Sequence, residues 1–97
     1  MRAMTTTVPL IFRLTGVVAD LDETTLDEPE HPSLALIIEC GDNFARIVVP
    51  ATAWPLAKRA LLAVDRPVAI DGESDINPFI KGARAVATSL TLLDRFH

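Results

Sequence analysis

Phe44 and Arg46 stand two positions apart in a run of alternating apolar residues. Phe79, Lys81 and Arg84 follow one another through a stretch broken by Asn77-Pro78 and Gly82. Aromatic faces on which bases stack, beside cations that track phosphates, are the means by which proteins hold single-stranded nucleic acid. Two aromatics and three cations suit modest affinity, since stacking contributes about 1–3 kcal/mol per base. Each residue also has a plainer use. Arg46 opposite Glu39 on a hairpin would form a surface ion pair of little energy. Phe44 can fold over a rim, Phe79 can cap a core, and Lys81 and Arg84 can keep a loop in water. Trp54 is read as packing, because a large aromatic is most often buried.

Other chemistries find fewer residues. Ser33, Ser74 and Ser89 have no histidine at an informative spacing, and His31 lies in an acidic stretch. Asp71, Glu73 and Asp75 alternate as a solvated strand face would; as a metal site they would need further ligands. Two histidines and the single Cys40 are too few for a conventional zinc site. Four scattered glycines form no phosphate loop. The expectation is a non-catalytic protein with no cofactor and no metal. One cysteine excludes a disulfide framework and suits a reducing compartment. The apolar run of residues 8–14 is interrupted by Pro9 and Arg13, which fits neither a signal peptide nor a membrane span. A cytoplasmic protein is expected.

The 97 residues suffice for one domain, residues 1–97, with residues 1–8 expected to be a flexible N-terminus. Hydrophobic residues make up 49% and charged residues 23%, an ordinary globular balance. The net charge of −4 argues against a basic coat for duplex binding. Residues 20–33 hold Asp20, Asp22, Glu23, Asp27, Glu28 and Glu30 with Pro29 and Pro32. Outside those six carboxylates, nine basic and seven acidic residues leave +2. The stretch reads as a solvated loop, or as one that repels nucleic acid or recruits a basic partner.

Period places these residues on elements. Residues 10–21 read as a long strand bent or bulged at Gly16. Residues 34–41 and 44–49 form a hairpin around Asp42-Asn43, pairing Glu39 with Arg46 and Ile37 with Val48. One face then carries Leu36, Ile38, Cys40, Ala45, Ile47 and Val49, all apolar. Thr52 can cap a helix of two to three turns, with Pro55 in its first turn. Leu56, Ala60, Leu61 and Val64 would form its apolar side. Residues 68–73 and 83–93 are the fourth and fifth strands, joined by a loop. Strand, strand, strand, helix, strand, strand is the order of the OB-fold, an all-β five-stranded Greek-key barrel with a helix between strands three and four. A five-strand open sheet with one covering helix is the competing arrangement.

Gly16-Val17-Val18, the hairpin, residues 68–73 and residues 86–90 follow in that order. Together they resemble the OB-fold nucleic-acid-binding modules of the replication and tRNA-anticodon-binding kind, in particular the OB module of the bacterial DNA polymerase III alpha subunit. The resemblance spans residues 10–94 and rests on barrel-forming positions. It implies weak binding of single-stranded nucleic acid as an accessory in DNA replication or repair, with a replication protein as a candidate partner. The ligand would lie across strands two and three and the 4–5 loop, on Phe44, Arg46, Phe79, Lys81 and Arg84. The alternative is a protein-interaction or oligomerisation module, joined into a homo-oligomer through Ile37 and Val48.

Overall fold

Alternating apolar and polar residues bury one face of each strand, and five such segments close on themselves in the computed structural model, which describes residues 9–22 and 33–94. They are β1 (Leu10–Asp22), β2 (Ser33–Cys40), β3 (Asn43–Pro50), β4 (Pro67–Ser74) and β5 (Ala85–Leu92). Their order around the closed barrel is β1-β2-β3-β5-β4. Every pairing is antiparallel except β3 with β5. The architecture is the expected all-β five-stranded barrel. The expected flexible residues 1–8, and residues 23–32 with most of the acidic loop, lie outside the described residues.

The long first strand closes the barrel by serving two neighbours. Leu10 to Val17 pair with β4, and Val17 to Asp22 pair with β2. The bulge falls between Val18 and Asp20, not at Gly16 as the sequence suggests. The extra residue there, Ala19, shifts the side-chain alternation by one, so that Leu21 rather than Asp20 packs on the core. Gly16 has a different task. A Cβ there would collide with the Glu39 carbonyl oxygen and lie 2.8 Å from Cys40 Sγ, so the strands meet this closely only without a side chain.

The hairpin turns at Gly41-Asp42, one residue earlier than expected. Gly41 takes the positive φ (62°) and Asp42 does not, the pattern of a type II′ turn, which wants glycine first. Every cross-strand partner therefore moves by two. Arg46 faces Ile37 and Glu39 faces Phe44, so Glu39 and Arg46 are diagonal neighbours and not directly opposite as expected. A two-residue shift preserves the faces, and Leu36, Ile38, Ala45, Ile47 and Val49 are all buried.

The expected helix is reduced to a 3₁₀ turn, Leu56–Leu61. Between Pro50 and Pro67 the chain first turns back on Pro50, whose carbonyl accepts the N–H groups of Ala53 and Trp54. Lys58 then donates to Pro55 over three residues, the tighter winding. Three residues per turn rotate the apolar side away from its 3.6-residue prediction. Leu62 is the residue that enters the core, whereas Leu61 and Val64 are about half exposed. Trp54 packs against the core as read from the sequence, and its indole N–H donates to the Lys58 carbonyl at 2.9 Å. At the core's centre Val18, Leu36, Ile38, Ile47, Val68 and Ile70 are fully buried. Burying such a side chain contributes about 1.5–3 kcal/mol.

Candidate nucleic-acid interface

The seam between β3 and β5 is short. Only Ile47 with Ala85 and Val48 with Val86 pair across it. Towards the hairpin turn the chain that precedes β5, residues 75–84, leaves that seam. A groove of about 490 Å³ lies there, between Ile37, Phe44, Ala45 and Arg46 of the hairpin and residues 78–84 of the loop. Phe44, Arg46, Phe79, Lys81 and Arg84, separated in sequence, thus line one groove. Phe44 is 53% exposed and Phe79 36%, so both rings retain accessible surface. Phe79 and Pro78 also line a second hollow, against residues 10–14 of β1, and so stand between the two.

The charge of the groove is opposite to that of the chain. Arg46, Lys81 and Arg84 line it, and among the described residues no carboxylate does. Two cations outside the groove have partners of their own. Arg13 Nε lies 3.3 Å from Asp71 Oδ1, and Lys58 Nζ is 5.7 Å from the centre of the Trp54 ring.

Local hydrogen bonds shape the loop wall. Asp75 Oδ1 accepts the backbone N–H of Ile76 at 2.8 Å and that of Arg84 at 2.7 Å. Asn77 Oδ1 accepts from Phe79 N at 2.9 Å, and two backbone bonds, Ile80 to Asn77 and Ala83 to Ile80, continue the turn. The Arg84 bond, more than any other influence, holds the Asp75 carboxyl below its ordinary 3.8. Sequence reasoning placed Asp75 on a solvated face and missed this role. Its only sequence signal is an Asp at a strand end before Asn-Pro, which says nothing of Arg84.

Ile37 and Val48 share the barrel's outer face, diagonal to each other rather than opposite, and both are half-buried. Ile37 reaches the groove, while Val48 pairs with Val86, which is 42% exposed. Ile11, 78% exposed, is a further apolar surface residue outside the predicted set. Among the described residues no three His, Cys, Asp or Glu side chains gather as metal ligands would. Asp71 is instead engaged by Arg13 and by the Ser89 hydroxyl at 3.1 Å. Burial pushes the Cys40 thiol above 9.0, which keeps it protonated near neutrality.

Fold and groove together define the class, an OB-fold module. Among solved structures the chain is similar to one from the Stn1–Ten1 complex of S. pombe, with a TM-score of 0.63 and 20% identity over 91% of this chain. This chain spans 60% of the length of that one. At such identity the likeness concerns the fold alone. No family model and no curated protein matches the sequence.

Proposed function

We propose that this chain is a non-catalytic OB-fold module that binds single-stranded nucleic acid weakly, as an accessory in DNA replication or repair. The observation that carries the reading is the groove. A chain of net charge −4 lines one concave surface with three cations, two accessible phenyl rings and no described carboxylate. Phosphates would meet Arg46, Lys81 and Arg84, and bases would stack on Phe44 and Phe79. Three neutralised phosphates on a single strand correspond to a log–log salt slope of about −2, so affinity should be low at physiological salt. The deciding experiment titrates a labelled oligonucleotide at low salt. Binding that weakens with salt and with loss of Arg46 supports the reading. No binding at low salt, even with Asp22, Glu23, Asp27 and Glu28 neutralised, removes it.

A second reading, a protein-docking or homo-oligomer module, is favoured by Val86, exposed beside Val48 on the outer face. The similar solved chain also comes from a complex of two proteins. On this reading the wild type is an oligomer at micromolar concentration, and Val86→Lys makes it a monomer without unfolding it. A wild type that sediments as a monomer at high micromolar concentration ends that reading.

A further inference from the structure

We infer that Asp75 is a positioning residue that holds the loop wall of the groove in its binding geometry; this rests on the nucleic-acid reading of that groove. Asp75 does not itself line the groove. It stands at the end of β4, and Arg84 stands immediately before β5, so the two mark the base of the loop that carries Phe79 and Lys81. One carboxylate oxygen takes both the Ile76 and the Arg84 N–H, at 2.8 and 2.7 Å. These are short, charge-assisted bonds, and the second bridges nine positions of chain. Closing the base removes from the loop the freedom that would otherwise be lost when a strand binds.

The charge of Asp75 works in the opposite sense. A carboxylate beside Arg84 weakens that residue's attraction for phosphate, so on charge alone the groove would bind better without it. Its geometry and its charge are therefore separable. Asn keeps an acceptor oxygen and removes the charge, whereas Ala removes both. Asp75→Asn and Asp75→Ala have the same net charge, so any difference between them reports the acceptor.

The test measures oligonucleotide affinity against salt for the full chain, Asp75→Asn and Asp75→Ala, with amide exchange on the same three proteins. The two variants should share one salt slope. Asp75→Asn should bind at least as tightly as wild type. Asp75→Ala should bind about five- to tenfold more weakly than Asp75→Asn, as expected when the competent loop geometry is only fractionally populated. The Ile76 and Arg84 amides should exchange faster in Asp75→Ala alone. Equal affinity and equal exchange in the two variants would overturn the inference. If none of the three proteins binds at low salt, the nucleic-acid reading fails, and the exchange rates still decide whether Asp75 orders the loop.

Discussion

Phe44 on β3 and Phe79 on the β4–β5 loop line the same groove, and each ring keeps solvent-accessible surface. A short strand passing between them would stack on both. Replacing either with Ala should cost about 1–3 kcal/mol of binding and leave the salt slope unchanged, because no phosphate contact is lost. Anisotropy titrations at two salt concentrations measure both quantities. An unchanged affinity in both variants would place the stacking surface elsewhere.

The three groove cations should behave differently from the rings. Arg46→Ala, Lys81→Ala and Arg84→Ala should each lower affinity at low salt and reduce the slope by about 0.7, the share of one phosphate on a single strand. A steep salt dependence that survives the triple substitution would move the phosphate contacts off the groove.

The packing of β1 on β2 leaves no room at Gly16. Gly16→Ala forces a methyl group against the Glu39 carbonyl and Cys40 Sγ, and should destabilise the barrel by about 1–3 kcal/mol. Ile47→Ala, which empties part of the fully buried centre, should cost about 2–5 kcal/mol. Denaturant melts of both variants check these values. A Gly16→Ala protein as stable as wild type would mean that the two strands can separate without loss.

Asp75 sets the pH response of the loop. Its carboxyl is held below 3.8 by the Arg84 backbone bond first, with smaller help from other backbone bonds and the Arg84 charge. A depressed carboxylate contributes its full stabilisation above the ordinary value and loses it as pH falls through the depressed one. The charge-assisted strength of the bond should therefore be unchanged from pH 7 down to the ordinary carboxylate range and be lost only below it. There the neutral carboxyl still offers Arg84 N an acceptor oxygen, as Asn does. An NMR titration of the Asp75 carboxyl and the Arg84 amide should show one shared midpoint below 3.8. A midpoint at or above that value would contradict the bond.

Much of the barrel was legible because burial acts through side-chain period. Alternation assigned the inward residues of the hairpin correctly even though its turn was placed one residue late. The shift of two in pairing keeps every side chain on its face, so hydrophobicity alone cannot detect it. What set the register was the positive φ at Gly41, a backbone demand that the Asp42-Asn43 reading overlooked. The helix was misjudged for a related reason. Its apolar pattern was read with a 3.6-residue period, while residues 56–61 wind at three residues per turn and Leu62, just beyond them, is the buried one.

By itself the sequence determined the five strands, their inward faces and the residue types suited to a single strand. These follow from local chemistry: alternation, turn formers, aromatic rings and cations are properties of short segments. Tertiary structure alone decided that Phe44 and Arg46 would meet Phe79, Lys81 and Arg84 in one groove. That meeting depends on β5 joining β3 in parallel at only two positions and on Asp75 tying the loop at Arg84. Both are contacts between distant segments. They form because closing the barrel buries its apolar faces, and local periodicity does not specify which loop then stands beside which strand.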